Sequence, residues 1–362
     1  MWKSSVGSRG KIAHGKTSSA IRRADRRPTI NDWRRQLTYD PLPPLLESSD
    51  EALRTLARRD LLGESRDCPE TLWQLPQALR LIKKQQSDGS WLPRTPAKHP
   101  AVNHKLIETW RQFRFLVDQF GMTRDHPPAA EAAEYLFSCQ TEAGDFRGIL
   151  ANQYATYYTG AIMATLIRAG YQDDPRIERG FGWLLEMRQD DGGWSVPMIT
   201  HKLDRATQFR LTTTFMAPVE PDRTKPFSHN WTGMVLRAFA EHPVQRASAA
   251  ALKAGRLLKS RFFEPDAYTS MQAASYWVRF GYPFWWNNLV AALDSLTLMG
   301  FTADDPPIHQ GMAWLVDHQE SSGLWKVSYV DPQAKEKQTP KARQAKLWVT
   351  LAIARLFARL YG

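Results

Sequence analysis

Arg188-Gln-Asp-Asp-Gly-Gly-Trp194 decides the fold, because the chain repeats it. Gln85-Gln-Ser-Asp-Gly-Ser-Trp91, Gln140-Thr-Glu-Ala-Gly-Asp-Phe146 and Gln319-Glu-Ser-Ser-Gly-Leu-Trp325 share its frame. Each has an amide or Arg, Gly four positions on, and an aromatic two after that. Self-similarity of this kind marks a repeat architecture. The repeat also reaches back from the motif. The stretch from Asp173-Asp174-Pro175 to Trp194 aligns without a gap, at an offset of 131, with the one from Asp304-Asp305-Pro306 to Trp325.

Each copy reads as a punctuated helix. Asp before Pro supplies an N-cap and a first helical residue with φ already set. Ile177, Phe181, Leu184 and Leu185 in one copy, and Ile308, Met312, Leu315 and Val316 in another, recur at helical spacing. Gly ends the helix, and the aromatic folds back over its end. Amphipathic outer helices are predicted at 71–86, 127–140, 175–188, 246–261 and 305–319. More uniformly apolar helices, the mark of burial, are predicted between them at 102–120, 154–170, 229–242, 285–300 and 346–360, with a further one near 49–62. Such hairpins stack into an open solenoid or close into a ring, and about six of them favour closure. The expected fold is all-α, an α/α-toroid over residues 37–362, with insertions at 195–227 and 326–341. Connections of that length are binding loops or plain surface insertions.

The 362 residues carry a net charge of +11, but ten Lys or Arg against two Asp put +8 of it in residues 1–36. That segment reads as a disordered basic tail without the apolar core of a signal peptide. An anionic membrane surface is its expected partner; nucleic acid is not expected. Two cysteines, Cys68 and Cys139, give neither a disulfide framework nor a zinc spacing. The cytoplasm is the expected compartment, with peripheral attachment to the inner membrane surface through the tail.

The Gln/Arg-x-x-x-Gly-x-Trp element resembles the QW repeat of squalene–hopene and oxidosqualene cyclases. More broadly, residues 50–361 resemble the terpenoid cyclase/protein prenyltransferase superfamily, as a single-toroid member. The resemblance implies inner helices around an apolar cavity, a polyisoprenoid or related apolar ligand, and no cofactor. It also implies structural ties between outer helices at Gln85/Trp91, Gln140/Phe146, Arg188/Trp194 and Gln319/Trp325, altered where Arg188 and Phe146 depart from the pattern.

The family's Asp-x-Asp-Asp acid is missing here, as is the Asp-x-Cys of a prenyltransferase zinc site, so no metal is expected. The fold's chemistry would then come from a second chain, or from other residues. Asp294, within an apolar helix, is the candidate acid, since burial would raise its pKa. Tyr154, Tyr157, Tyr158, Trp231, Trp285, Trp286 and Trp348 are the candidate cavity wall, because aromatic faces stabilise cations without capturing them. His229 and Asn230 stand at an inner-helix start, where capping competes with ligand binding. His104 and Glu108, one turn apart, are a weaker pair. Tyr158-Thr-Gly and Trp231-Thr-Gly repeat one local pattern, read as equivalent places near the cavity rim. Without an acid, the alternative is a toroid that binds a lipid or a protein and performs no chemistry.

Overall fold

The computed structural model describes residues 33–64, 70–95, 98–268, 273–331 and 339–362. Thirteen α-helices occur among them, and no strand longer than an isolated bridge. Twelve of the helices pair into six hairpins, each an outer helix followed by an inner one. These are α1 (Leu42–Leu46) with α2 (Glu51–Ala57), α3 (Pro76–Ile82) with α4 (His104–Phe120), and α5 (Pro127–Ser138) with α6 (Thr156–Leu166). Then come α7 (Pro175–Glu186) with α9 (His229–Glu241), α10 (Ala249–Lys259) with α11 (Leu289–Leu298), and α12 (Pro306–Asp317) with α13 (Pro340–Tyr361). The remaining helix, α8 (Arg205–Thr213), lies in the 195–227 insertion.

The layers differ as their sequences require. All eleven residues of α6 are buried, whereas α7 buries Ile177, Gly180, Phe181, Trp183 and Leu184 and exposes the rest of its surface in whole or part. Asp174 caps α7 by accepting from the Arg176 N–H. Asp305 stands at the same place on α12 but makes no cap hydrogen bond; it pairs with Lys259. Both Asp-Pro pairs stand at helix starts, but only Asp174 supplies the expected side-chain cap.

In three of its four copies the repeated motif fastens an outer helix to the next stretch of the outer layer. Gln85 Nε2 donates to Gly89 O (2.9 Å) and to Pro128 O (2.8 Å) in the first turn of α5. Gln140 Nε2 donates to Gly144 O (2.7 Å) and to Arg176 O (2.9 Å) in the first turn of α7. Gln319 Nε2 donates to Gly323 O (3.1 Å) and to Tyr39 O (2.8 Å), and its Oε1 accepts from Tyr39 N (2.9 Å). This last tie joins the final outer helix to the residues before α1. Together with the packing of α13 on α1 and α2, it closes the ring.

Three boundaries differ from expectation. Trp33 is 3% exposed within the short helical turn Trp33–Gln36, so residues 33–36 belong to the packed body and not to the tail. Residues 1–32 and Cys68 lie outside the described residues. The helix predicted at 285–300 starts only at Leu289, where Asn288 caps it by accepting from Ala291 N (3.0 Å). The carbonyls of the preceding residues 284–286 are taken by Arg114 and Arg237 instead of by a first helical turn. Helix α13 begins at Pro340, inside the predicted 326–341 insertion.

Candidate functional site

The ring has two ends, set by the common direction of its inner helices. Tyr157 and Tyr158 stand in the first turn of α6 and Trp231 in the first turn of α9. Residues 279–288, the connection leading into α11, fold across this end as a plug. They bring in Trp285 and Trp286, which are therefore not on an inner helix. The rings meet one another: Tyr157–Trp231 at 4.3 Å between centroids, Tyr157–Tyr158 at 4.4 Å, Trp110–Trp285 at 4.7 Å and Trp231–Trp286 at 5.8 Å. Burial raises both phenols, Tyr158 to about 12. Tyr154 packs on Trp183 and donates its hydroxyl to Glu220. Trp348 lies apart from the cluster, stacked on Tyr282 of the plug (5.8 Å, 12°), with its indole N–H on Asp50.

Two guanidiniums hold the plug. Arg237 of α9 donates to Phe284 O (3.2 Å), Trp285 O (3.1 Å) and Trp286 O (2.8 Å). Arg114 of α4 donates to Phe284 O (2.6 Å) and lies over the Trp110 and Trp285 rings. Both side chains are buried, and neither forms a direct ion pair among the described residues. Burial works against their charge and lowers both pKa values. Guanidinium still stays protonated at neutral pH, and the plug carbonyls and aromatic faces take the place of a counter-ion.

Beyond the plug, at the C-terminal ends of the inner helices, a cavity of about 700 Å³ opens. Five inner helices and the turn after α6, through Arg168, contribute to its wall, and Tyr282 and Phe284 of the plug close it on one side. Its charges come in joined sets. Arg168 bridges Asp118 (2.8 Å) and Glu241 (2.8 Å). Asp60 accepts from Arg59 (2.6 Å) and Arg355 (2.7 Å). Arg359 pairs with Asp294 (2.9 Å). Burial alone would raise Asp60, but Arg355 and Arg59 hold it below the usual carboxylate range. Burial does raise Glu241, against the pull of Arg168. Tyr282, pushed up to about 12 by burial, accepts from Arg355 (3.0 Å) and donates to Asp118 O (3.2 Å). Between these groups stand Leu56, Val117, Met122, Leu298 and Ala352.

Asp294 is therefore not the isolated buried acid that its apolar helix implies. Its side chain is 23% exposed and clamped by Arg359, one of the last-turn residues of α13, which its own neighbours in sequence cannot reveal. The His104–Glu108 pair does not form either, since Glu108 accepts from Arg111 (2.7 Å) and Gln112. His229 stacks on Trp277 (4.6 Å, 28°) with Nδ1 3.4 Å from the buried Asp266 carboxylate. Asn230 gives its backbone N–H to Asp266, and Ser228 is the cap of α9. No group of three His, Cys, Asp or Glu side chains is placed to hold a metal ion among the described residues.

The repeat differs from its expected form at one copy. Arg188 offers only its carbonyl, to Arg223 Nε; the amide tie comes from Gln189, whose Nε2 donates to Asp222 O (2.9 Å) and Lys225 O (3.0 Å). Trp91, Trp194 and Trp325 donate their indole N–H to Leu81, Leu184 and Leu315, a bond that Phe146 cannot make. A further element escaped the sequence. The backbone N–H of each motif aromatic reaches a fully buried inner-helix threonine: Trp91 to Thr109 (2.9 Å), Phe146 to Thr159 (3.1 Å), Trp194 to Thr232 (2.8 Å) and Trp325 to Thr350 (3.2 Å). The repeated Thr-Gly pairs were its visible trace. They do not mark a cavity rim. The threonines key outer motif to inner helix, and the glycines allow close packing. A Cβ on Gly160 would lie 2.5 Å from Val235 Cα, and one on Gly233 2.2 Å from Asn287.

No family model matches the chain, and no curated protein matches its sequence. Among solved structures it is similar to a protein from Actinoplanes at 17% identity, covering 80% of this chain and 86% of that one, with a TM-score of 0.40. It is also similar to the type II terpene cyclase MstE from Scytonema, in complex with geranylgeranyl dihydroxybenzoate. There the identity is 13%, over 88% of this chain and 98% of that one, with a TM-score of 0.42. A polysaccharide lyase matches at 12% identity over 80% of this chain and 85% of that one, with a TM-score of 0.37.

Proposed function

We propose that the toroid takes up an amphiphilic small molecule of the isoprenoid class in the cavity at the C-terminal ends of its inner helices. The observation that carries this reading is the cavity itself. Its volume suits an organic ligand, and its wall combines an apolar surface (Leu56, Val117, Met122, Leu298) with arginines able to exchange a carboxylate partner for a ligand's polar end. The apolar part of the ligand displaces water from the first set, and its head meets Arg168, Arg355 or Arg359.

Binding fits this geometry better than proton-initiated cyclisation. A carboxyl that must give a proton to an alkene has to be held neutral, and Asp294 faces a guanidinium at 2.9 Å. A second reading, cyclisation, draws on one observation: the contiguous rings of Tyr157, Tyr158, Trp231, Trp285 and Trp286 form the kind of surface a carbocation needs. It requires the plug, with Trp285 and Trp286, to shift far enough for a substrate to enter between the rings. Native mass spectrometry of full-length protein with farnesyl diphosphate, geranylgeranyl diphosphate, farnesol or squalene separates these readings. Retention of an isoprenoid, weakened by Leu298→Asp, is expected. Retention of none of the four would end the binding proposal. A cyclic product lost in Asp294→Asn would restore the acid and favour cyclisation.

A further inference from the structure

The 195–227 insertion carries a surface that the cavity does not explain. Phe215 is 77% exposed, Phe209 58% and Met216 40%, within eight residues of one another. Water contact of this kind is unfavourable for large apolar groups, and clustered instances mark interaction sites. Helix α8 is not loose. Asp204 caps it by accepting from Thr207 N (2.9 Å), and Leu211 is buried beneath it. Phe209 leans edge-on against His99 at 5.5 Å. The residues after the helix are held as well. Gln153 Nε2 donates to Ala217 O (3.1 Å), and its Oε1 accepts from Val219 N (2.9 Å). The apolar cluster is thus presented by a fixed support at the N-terminal end of α6, on the aromatic side of the ring.

Its charge is one-sided. Lys202, Arg205 and Arg210 are exposed and form no ion pair among the described residues. The acids of the insertion are engaged: Asp204 at the cap, Glu220 with Tyr154, and Asp222 with Thr224 and Lys225. Aromatic and apolar side chains beside unpaired cations are the composition of an interfacial membrane contact, with rings at the acyl boundary and cations at lipid phosphates.

We propose that α8 and residues 214–216 dock this end of the toroid on an anionic phospholipid surface, with Phe209, Phe215 and Met216 inserted and Lys202, Arg205 and Arg210 facing the headgroups. The contact is independent of the cavity's ligand, so a cavity that binds no isoprenoid leaves it untouched. It is also separate from the basic tail, whose eight cations in residues 1–32 would attach by charge alone.

The test is co-sedimentation of the full chain with vesicles of phosphatidylcholine alone and of phosphatidylcholine mixed with phosphatidylglycerol. Binding to the mixed vesicles only, and weakened by salt, is expected. Phe209→Ser with Phe215→Ser should lower the partition coefficient at least about tenfold. Arg205→Gln with Arg210→Gln should lower it at least about fivefold for each charge removed. Both variants should melt like the parent. The comparison is repeated in a chain with Arg22, Arg23, Arg26 and Arg27 changed to Gln, where the α8 substitutions should remove most of the remaining binding. Binding unaffected by the α8 substitutions in both backgrounds overturns the proposal, as does absence of binding. A change in oligomeric state caused by the Phe substitutions without vesicles also overturns it, by assigning the face to a second copy of the chain.

Discussion

Gln189 and Arg188 show how finely a side chain's role depends on position. They are neighbours, yet only Gln189 reaches two backbone acceptors, Asp222 O and Lys225 O. Gln189→Leu should lower stability by ~1–3 kcal/mol, the cost of stranding buried acceptors, while Arg188→Leu should change it by less than about 0.5 kcal/mol. Chemical denaturation of the two variants checks this. The motif's frame pointed to residue 188, and the amide at Gln189 beside it was the only sign of the shift. His229 makes a different prediction. Burial lowers its pKa from 6.5 to about 4, with Asp266 opposing. In the unfolded chain it takes up a proton near pH 6.5, and in the folded chain only near 4. Its contribution is therefore complete above pH 6.5 and is lost as pH falls from 6.5 towards 4, by up to about 3 kcal/mol. Thermal melts between pH 7 and 4 should show a shallower decline for His229→Gln than for the parent.

At the scale of an element, the plug was the least legible part of the sequence. Trp285-Trp286 followed by Leu-Val-Ala-Ala-Leu has the apolar density of a buried helix, so the helix start was read too early. Only Gly281 and Pro283 argued for a turn, and nothing nearby announced that Arg114 and Arg237 would be spent inside the ring on its carbonyls. Arg237→Leu leaves Trp285 O and Trp286 O without the donor they have here. Amide hydrogen exchange should rise over 280–288 by tenfold or more and stay unchanged in α7. Equal exchange in parent and variant would mean that packing alone seats the plug. The buckles, by contrast, were readable because each uses local sequence for both its Gly turn and its amide.

At the scale of the whole molecule, hairpin count and alternation of layers followed from periodicity and favoured closure, whereas the contacts that make the seam did not follow from it. A solenoid and a ring have the same repeats; what distinguishes them is whether the last repeat meets the first. Here Gln319 holds Tyr39 by two hydrogen bonds, and a Cβ on Gly323 would lie 2.4 Å from Asp40 O. Gly323 also has φ 78°, a conformation that favours glycine. Gly323→Val should therefore open the seam, lowering the melting temperature by several degrees through strain of at least ~2 kcal/mol. The cavity's charge network was invisible for the same reason as the seam contacts. Asp60, Asp118, Arg168, Glu241, Asp294 and the Arg355/Arg359 pair come from six different inner helices or the turns that end them, and no spacing in sequence links one helix's contribution to another's.

The seam bears on how the chain is made. Asp50 and Asp60 find Trp348 and Arg355 almost three hundred residues later. Until α13 leaves the ribosome, the flank of the first hairpin has no lasting neighbour, while every interior hairpin can dock on its predecessor as it emerges. A nascent chain would thus carry an unfinished edge through most of its synthesis. That edge is where a chaperone has the longest time to bind.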